Sequence, residues 1–381
     1  MTFHLITGEY PPACGGVGDY SQLVARALAA RGCSVHVWSP AISAEAVDGR
    51  VNLRPLPDRF GPRSRQTLAA AFAALPGCVL LQYVPNTLGS RGANLRFCVW
   101  LLRLRRRHAD VRVVFHEPYF YYSLNPLGNA LALVQRAMAA VLLRASSVVY
   151  LSTETWLRYL RPMAPAGTTM VVVPIPSTIP GDAGARDVAH WRDRFSGTGT
   201  TAHVVGHFGT FGDHIAGELR PVVTAILNVD PHARFVCIGR GSEAFASDLA
   251  ATHSSLGARL DGTGELPRGQ VAAALRACDV VVQPYPDGVT TRRTSVMAAL
   301  ANAVATVTTA GELTEPVWAG SGAVVLAPAG NAGAIAAAAV SLLRDPQTRS
   351  AVAAAGRCAY DAHFALDHTV EALMRTAGAG A

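Results

Sequence analysis

Short apolar runs alternate with longer amphipathic stretches along the chain, a pattern that predicts parallel β-strands separated by helices. The first half contains six such runs: Phe3–Thr7, Val35–Trp38, Val79–Gln82, Val111–Phe115, Val148–Leu151 and Met170–Val173. The second half contains five: Val204–Phe208, Phe235–Ile238, Asp279–Gln283, Ala305–Thr308 and Ala323–Leu326. We therefore predict an α/β protein with two doubly wound, Rossmann-like domains in tandem, facing each other across a central cleft.

A stretch rich in Pro, Gly, Ser and Thr separates the two series and predicts a linker with a small helix inside it, Pro174–Thr201. The last part of the chain carries apolar residues at helical spacing and predicts a C-terminal helix that crosses back to the first domain. We place the first domain at 1–178, the second at 179–360 with 179–201 as its linker, and the last helix at 361–381.

Length and composition fit two soluble domains and exclude several other classes of protein. The 381 residues suffice for two domains of roughly 180 residues each, and half of the residues are apolar while 15% are charged. No apolar run reaches the roughly 18–20 residues that a membrane-spanning helix needs, and the N-terminus lacks the basic start of a signal peptide. We therefore expect a cytoplasmic protein. The seven cysteines are scattered, which predicts reduced core residues rather than disulfides or zinc ligands.

Every one of the 33 basic residues is an arginine, and the formal net charge is +7. Genome composition is the simplest cause of this bias. The absence of lysine nevertheless excludes a Schiff-base lysine and a P-loop lysine, so any phosphate group has to be bound by arginine or by backbone N–H groups.

A glycine-rich loop follows the first predicted strand. Gly15, Gly16 and Gly18 precede a helix, and Asp19 and Gln22 have the spacing of a capping box that would begin it. Glycines let backbone N–H groups approach an anion at a helix N-terminus. The loop does not match G-x-G-x-x-G, and a turn without a ligand is an equally good interpretation.

The first strand of the second domain leads into a similar loop, with Gly206, Gly209 and Gly212. Two glycine loops, one at the head of each domain, suit a phosphorylated ligand better than a dehydrogenase cofactor. We therefore expect both loops to contribute to one ligand site.

Two arginines stand in an unfavourable place for the helix that they precede. Arg292 and Arg293 follow a buried strand and a Pro- and Gly-rich loop, and the next helix begins near Thr294 or Ser295. A helix N-terminus already favours anions, so two cations placed there cost free energy unless an anion binds to them. A diphosphate fits this requirement. The alternative is a solvated pair of arginines on a loop.

At this point the chain resembles the retaining family 4 glycosyltransferases, also called glycosyl transferases group 1, which have the GT-B fold. The resemblance rests on the order and spacing of several segments along nearly the whole chain: GEYPPACGGVGDY, FHEPY, VVGHFGTFG, CIGRGSEAF, GTGELP and ACDVVVQPY. It implies a metal-independent enzyme that transfers a hexose with retention of configuration from a nucleotide-diphosphate sugar, UDP- or GDP-linked, with UDP favoured. It implies no other cofactor.

The chain departs from the family at its two glutamates. The family pattern resembles E-G-F-G-L-P-x-x-E-A-M-A-x-G-x-P-V-V, and aligning A-x-G-x-P-V-V with residues 301–307 puts Thr290 and Ala298 where the glutamates belong. In the family these acids bind the sugar hydroxyls and the ribose. We therefore expect a divergent branch in which Asp287 and the backbone after it face the sugar, while Arg292 and Arg293 face the diphosphate.

The resemblance and the loops together give the candidate site residues. The catalytic candidates are His116, Arg292 and Arg293, because a histidine at the end of this strand lies close to the sugar in the family. Without the resemblance, a hydrogen-bonded structural histidine is the better interpretation. The donor-binding candidates are Gly16, Gly209, Thr210, Phe211, Gly212, Arg240, Gly264, Glu265, Leu266, Asp287, Gly288, Val289, Thr290, Thr291 and Ser295, with the base near 264–266. The acceptor-binding candidates are Asp19, Tyr83, Glu117 and Tyr119.

The sequence leaves partners and alternative functions open. An amphipathic helix ends in Arg103, Arg105, Arg106 and Arg107. A solvated helix end explains them simply, and contact with the inner face of an anionic membrane is the alternative. We expect no nucleic-acid partner. The expected acceptor is a glycan, a lipid-linked molecule or a natural product, with polysaccharide biosynthesis as one context. The rival functions are a non-catalytic sugar-nucleotide-binding or scaffold protein and another GT-B enzyme such as a nucleotide-sugar epimerase.

Overall fold

The structure is a computed structural model that describes residues 1–12, 15–43, 48–89, 92–107, 109–120, 122, 125–197 and 202–378, with the backbone alone for 376–378. The chain divides into two compact units. The first combines Met1–Ile175 with Leu366–Ala381, and the second is Pro176–Ala365. The sequence analysis places these boundaries three residues later and five residues earlier, respectively.

The first unit is built on a sheet of seven parallel strands in the order β3-β2-β1-β4-β5-β6-β7. The strands are β1 (Thr2–Ile6), β2 (Ser34–Ser39), β3 (Asn52–Pro55), β4 (Cys78–Tyr83), β5 (Asp110–Phe115), β6 (Val148–Leu151) and β7 (Thr169–Val172). The helices between them are α1 (Gly16–Ala30), α2 (Pro62–Ala74), α3 (Leu95–Arg105), α4 (Pro126–Ala145) and α5 (Thr155–Leu160). β3 is missing from the predicted strands because this edge strand is largely exposed and has no apolar run.

The second unit repeats the same plan with six parallel strands in the order β10-β9-β8-β11-β12-β13. The strands are β8 (His203–Phe208), β9 (Ala233–Ile238), β10 (Leu260–Gly262), β11 (Val280–Gln283), β12 (Ala305–Ala310) and β13 (Val325–Pro328). The helices are α6 (Ala185–Ser196), α7 (Asp213–Val229), α8 (Ser242–Thr252), α9 (Arg268–Arg276), α10 (Thr294–Ala301), α11 (Ala332–Arg344) and α12 (Pro346–Ala359). A π-turn, Tyr360–Phe364, ends the unit.

The last helix, α13 (Leu366–Gly378), belongs to the first unit. Its Val370 and Leu373 are buried in the same apolar cluster as Val24 and Leu28 of α1. The backbone carbonyl of Leu373 also accepts a hydrogen bond from the buried guanidinium of Arg112, at 2.9 Å. Both ends of the chain therefore contribute to one core.

The order of the strands indicates at which edge each sheet is expected to bind a ligand. Both sheets follow the doubly wound order 3-2-1-4-5-6, in which the crossover direction reverses between the first and the fourth strand. Ligands of such folds bind outside the carboxyl ends of the strands at that reversal. In the first unit it lies between β1 and β4, and in the second between β8 and β11. The predicted cleft between the two domains stays a prediction.

One helix differs from the sequence expectation about membranes. α4 has 20 residues with a mean hydropathy of 1.4, so by length and composition it could cross a bilayer. Core helices of soluble proteins pass the same test. One side of α4 does contribute to the core of the first unit, through Met138, Ala139, Leu142, Leu143 and Ala145.

Candidate donor and acceptor sites

The glycine loop of the second unit lies at the reversal point of its sheet. β8 ends at Phe208, and Gly209–Gly212 lead into α7. The next loop, after β9, packs directly against it: a Cβ atom on Gly239 would lie 2.4 Å from the carbonyl oxygen of Gly209, and the φ of Gly239 is +116°. Only glycine allows this approach of two backbones. The two loops therefore form one surface at the carboxyl edge.

The backbone of this surface is open on the side of α7. A Cβ atom on Gly212 would meet nothing within 4 Å, and one on Gly209 would meet only Nε2 of His207, at 3.4 Å. Gly212 precedes α7 and supplies no side-chain cap, so the first N–H groups of the helix have no partner from the capping residue. Such a helix N-terminus favours an anion.

His207 lies beneath this loop and is 2% exposed. Its Nδ1 donates to the carbonyl oxygen of Val282 at 2.9 Å, because a carbonyl can only accept. Its Nε2 is buried and has no partner among the described residues. Burial lowers the pKa of His207 to about 4, so the ring is neutral near pH 7.

The loop after β10 is held by backbone and hydroxyl contacts. The N–H of Gly264 donates to Oγ of Ser242 at 2.9 Å, and the φ of Gly264 is +70°. Glu265 is exposed, while Leu266 packs on the core of the unit. Arg240, on the neighbouring loop after β9, is exposed as well. The predicted base-binding segment thus lies at the same sheet edge as the glycine loop.

The arginine pair lies directly before α10, as the sequence predicts. Arg293 precedes Thr294, the first residue of that helix. Its Nη2 lies 2.5 Å from the carboxylate of Asp287, and its guanidinium stacks on the ring of Tyr285, 4.3 Å from the centroid. Nη2 of Arg292 lies 4.0 Å from the other oxygen of Asp287. Both arginines thus lie beside the carboxylate of Asp287, and both remain about one-fifth exposed.

A buried glutamate anchors this loop, and the sequence analysis missed it. Glu315 is 3% exposed and accepts hydrogen bonds from the backbone N–H of Thr291, at 2.5 Å, and from its hydroxyl, at 2.8 Å. The indole of Trp318 donates to the same carboxylate at 3.4 Å. No local signal could reveal the contact, because Glu315 and Thr291 are 24 residues apart in the sequence.

The far side of the loop is equally constrained. Gly288 has a φ of +88°, and a Cβ there would lie 2.2 Å from Oγ1 of Thr314. Val289 is fully buried, and its N–H donates to the carbonyl oxygen of Thr309 at 2.8 Å. The prediction that Val289 contacts the donor is therefore wrong, because neither its side chain nor its N–H is available. The N–H and the hydroxyl of Thr291 both donate hydrogen bonds to Glu315, so they too are already in use.

The structure supports the alignment that identifies the missing glutamates. Ala303 stands where the family pattern has glycine, and its φ of +54° lies in the left-handed region that favours glycine. Thr290 is 1% exposed, and its Oγ1 has no partner among the described residues. Ala298 is fully buried in the apolar core of the unit. A carboxylate at this second position would be surrounded by that core, so the loss of the acid is accommodated by the packing.

His116 directly follows β5, at the carboxyl edge of the first sheet and one strand beyond the reversal point between β1 and β4. It is 7% exposed, and its Nε2 donates to Oε1 of Gln82 at 2.8 Å, which leaves Nδ1 as the acceptor of the ring. The edge of the Tyr20 ring lies against it, with centroids 4.9 Å apart. Burial lowers the pKa of His116 to about 3. The side chain is thus a neutral, oriented hydrogen-bonding group rather than a proton donor near pH 7.

The glycine loop of the first unit holds one of the protein's own carboxylates. A Cβ on Gly15 would lie 2.0 Å from Oε2 of Glu9, and Glu9 accepts a hydrogen bond from the N–H of Gly18. Burial raises the pKa of Glu9; the Gly18 hydrogen bond opposes this shift and the nearby Asp19 adds to it. Asp19 lies inside α1, which begins at Gly16, so the predicted capping box is wrong. Gly16 itself is exposed, with nothing within 4 Å of a Cβ.

The acceptor-binding candidates divide into two groups. Tyr83 is fully buried against Phe115 in the core, with ring centroids 5.0 Å apart, so its prediction as an acceptor contact is wrong. Glu117 and Tyr119 are partly exposed after β5, and the ring of Tyr119 lies 4.2 Å from the guanidinium of Arg136. Among the described residues, no group of three or more His, Cys, Asp or Glu side chains could hold a metal ion.

Comparison with known proteins agrees with this geometry. Residues 202–345 match the family described as glycosyl transferases group 1. Sucrose-phosphate synthase from Thermosynechococcus elongatus has a similar structure over 98% of both chains, with a TM-score of 0.76 and 16% sequence identity. The chain has the GT-B fold, and its second unit carries a domain of the glycosyl transferases group 1 family. The predicted fold and the predicted resemblance to group 1 glycosyltransferases are confirmed, and the match of residues 202–345 supports a transferase enzyme.

Other solved structures resemble this protein at a similar level. HepE from Anabaena, in complex with UDP, is similar over 99% of both chains, with a TM-score of 0.72 and 14% identity. WaaG, a glycosyltransferase involved in lipopolysaccharide biosynthesis, is similar over 99% of this chain and 100% of the other, with a TM-score of 0.68 and 12% identity. No curated protein matches the chain in sequence.

Proposed function

We propose that this glycosyltransferase moves a hexose, with retention of configuration, from a UDP-linked sugar to a glycan, a lipid-linked molecule or a natural product. The observation that carries the proposal is the loop before α10, where Arg292 and Arg293 lie directly ahead of a helix N-terminus and both remain about one-fifth exposed. The choice of UDP rests on the similar structures of HepE, whose complexes hold UDP or UDP-glucose.

In the proposed reaction, negative charge accumulates on the diphosphate as the glycosidic bond breaks. The guanidinium groups of Arg292 and Arg293 would stabilise this charge, and the open N–H groups at the start of α7 would add to it. Glu315 would hold the loop in place through Thr291. His116, being neutral, would orient a hydroxyl group of the sugar rather than transfer a proton. We propose no metal and no further cofactor, and a cytoplasmic location.

Calorimetric titration with UDP, GDP and their glucose conjugates tests the donor site. The double variant Arg292→Ala, Arg293→Ala should weaken binding of the preferred nucleotide by at least about tenfold, because each arginine forms charge-assisted hydrogen bonds with phosphate. A control variant, Arg50→Ala with Arg186→Ala, removes the same charge from exposed positions that are not part of the loop. The donor-site assignment would be refuted if the two double variants lost nucleotide affinity equally, or if the wild type bound none of the nucleotides.

The missing glutamates favour a second candidate, a sugar-nucleotide-binding protein without turnover. Thr290 and Ala298 supply no carboxylate, and Ala298 is enclosed by the core. Hydrolysis of the donor by the pure protein separates an enzyme from a binder. Formation of a new glycoside separates a transferase from an epimerase acting on the same donor.

A further inference from the structure

The solvent-facing side of α4 in the first unit is apolar, whereas a surface helix normally presents polar residues to water. Leu127 is 83% exposed, Leu133 is 61% exposed and Val134 is 37% exposed. Ala130 and Ala137 are exposed on the same helix. Spacings of three and four residues put these side chains on one side of the helix. We call this set the α4 stripe.

The opposite side of α4 fixes the helix in the protein. Met138, Leu142 and Leu143 are buried in the core cluster of the first unit, where α4 packs beside α3. A helix held in this way cannot cross a bilayer without losing that packing. The stripe is therefore a surface that could lie on a membrane and not a membrane-spanning segment.

Aromatic residues extend the apolar surface ahead of the helix. Tyr122 is 56% exposed and Phe120 is 37% exposed. Arg136 of α4 lies between the rings of Tyr119 and Tyr122, with its guanidinium carbon 4.2 and 3.9 Å from the two centroids, and it donates to the carbonyl oxygen of Phe120 at 2.9 Å. The contacts of Arg136 thus hold the partly exposed ring of Tyr119 and the exposed ring of Tyr122 beside the stripe. Aromatic and arginine side chains are suited to the boundary between lipid and water.

The part of the chain that contains α3 and α4 carries mostly positive charge. Residues 59–153 contain 12 arginines and only two acids, Asp110 and Glu117. Asp110 is already paired with Arg112 at 2.6 Å. Exposed arginines stand on α3 and directly after it, at 96, 103, 106 and 107. Exposed arginines on α3, which packs beside α4, together with the apolar α4 stripe are complementary to a bilayer that contains anionic lipids.

We propose that the α3 and α4 face of the first unit binds the surface of an anionic phospholipid bilayer, with the α4 stripe in contact with the acyl-chain boundary. A second copy of the chain is a poorer occupant, because two such faces would bring arginines of both copies together. The proposal does not depend on the identity of the donor. It concerns only the partner that covers this face.

Vesicle flotation tests the proposal directly. We expect the full-length protein to float with phosphatidylcholine vesicles that contain about 30% phosphatidylglycerol, and to float much less with phosphatidylcholine alone. Raising the salt from about 0.05 to about 0.5 M should reduce binding several-fold, because the arginine contribution is screened. Binding that ignores lipid charge would overturn the proposal.

Two variants separate the apolar and the electrostatic contributions. Leu127→Gln with Leu133→Gln, and separately Arg103→Glu with Arg106→Glu, should each reduce flotation at least about fivefold. The matched controls are Val229→Gln, an apolar residue 52% exposed in the second unit, and Arg50→Glu with Arg186→Glu. All seven substituted residues are exposed, so the four variants should fold, which circular dichroism and UDP binding check independently.

Three results would overturn the proposal. The first is equal loss of flotation in the stripe variant and in its control. The second is full flotation by both stripe and arginine variants. The third is a wild-type dimer in sedimentation velocity that dissociates in the Leu127→Gln, Leu133→Gln variant and shows no affinity for vesicles, which would identify a second copy as the occupant.

Discussion

The glycine loops that open the two units look alike in sequence but differ in what lies against their helices. In the first unit the space beside Gly15 holds the carboxylate of Glu9, and the N–H of Gly18 donates to that carboxylate. In the second unit a Cβ on Gly212 would meet nothing within 4 Å. The same glycine pattern thus serves an internal carboxylate in one unit and leaves an open helix N-terminus in the other.

The two loops show that a glycine-rich sequence specifies the geometry of the backbone and does not specify a ligand. Glycine supplies access to N–H groups, but the side chains that fold back onto them decide whether an anion from outside can bind. In this protein the glycine loop with an open helix N-terminus belongs to the second unit, where Gly209 also packs against Gly239.

The largest effect should come from closing the space between the two backbones of the second unit. Gly239→Ala would place a Cβ 2.4 Å from the carbonyl oxygen of Gly209 at a φ of +116°. We expect the free energy of unfolding to fall by about 3 kcal/mol or more, from left-handed strain and overpacking together. Urea denaturation measures it.

Gly16→Ala is the matched change in the first unit, because nothing lies within 4 Å of its Cβ. There we expect the free energy of unfolding to stay unchanged or to rise by up to about 1 kcal/mol, since alanine favours a helix over glycine. Equal destabilisation by the two substitutions would contradict the difference between the loops.

The next effect should come from the carboxylate that holds the arginine loop. Glu315→Ala removes the acceptor of both the N–H and the hydroxyl of Thr291, and we expect a loss of about 2–3 kcal/mol in the free energy of unfolding. Binding of UDP should weaken as well, because Arg292 and Arg293 belong to the same loop. Glu315→Gln keeps one acceptor oxygen, so its free energy of unfolding should fall by less than that of Glu315→Ala.

Glu312→Ala is the control for this prediction, because Glu312 is an exposed acid three residues earlier. It should change neither stability nor binding by a measurable amount. A Glu315→Ala variant with unchanged UDP affinity would show that the buried contact does not position the arginines.

A third effect concerns the buried histidines of the two sheets. Burial lowers the pKa of His116 to about 3 and of His207 to about 4, while an unfolded histidine titrates near 6.5. The unfolded state therefore binds protons first, and stability is lost as the pH falls below about 6.5. Each histidine should contribute a loss of about 2 kcal/mol between pH 7 and pH 5.

Urea denaturation at both pH values measures this loss in the wild type and in His116→Gln and His207→Gln. In each variant, the change in the free energy of unfolding between pH 7 and pH 5 should be smaller than in the wild type by the contribution of one histidine, about 2 kcal/mol. His253→Gln, at an exposed position, is the control. A wild-type pH dependence that persists unchanged in both buried-site variants would mean that other groups carry it.

The sequence predicts the buried strands well because each is a continuous apolar run between helices. It misses β3 and β10, which are short edge strands: the residues of β3 are mostly exposed and those of β10 are only partly buried. The side-chain direction of Tyr83 was available from strand alternation, since Val79 and Leu81 lie in the same core cluster. The wrong prediction for Tyr83 came from its position at a strand end alone.

The candidate site is predictable only in its local features. The arginine pair, the helix that follows it and the glycine loops are visible as short patterns in the sequence. The contacts of Glu315 with Thr291 and of Gly239 with Gly209 join segments 24 and 30 residues apart. Glu9 is close in sequence to Gly15, but no pattern indicates that its carboxylate folds back onto that loop. Such contacts follow from tertiary packing.

The smallest effect is expected from Glu9→Gln. This substitution tests the difference between the two glycine loops most directly. Glutamine keeps an oxygen that can accept from the N–H of Gly18 but removes the charge. Because burial raises the pKa of Glu9, its ionised form is disfavoured in the folded protein, and the neutral side chain should leave the free energy of unfolding at pH 7 unchanged or raise it by less than about 1 kcal/mol.

The same substitution shows whether the first loop also meets the donor. If a phosphate group approaches Gly16, removal of the Glu9 charge should strengthen UDP binding at pH 7, while an isothermal titration at pH 5 should show a smaller difference, because Glu9 with its raised pKa is then partly protonated in the wild type. Weaker binding in Glu9→Gln would instead mean that the carboxylate itself contacts a ligand hydroxyl. Unchanged affinity at both pH values would confine the phosphate to the second unit, where Gly212 leaves its helix N-terminus open.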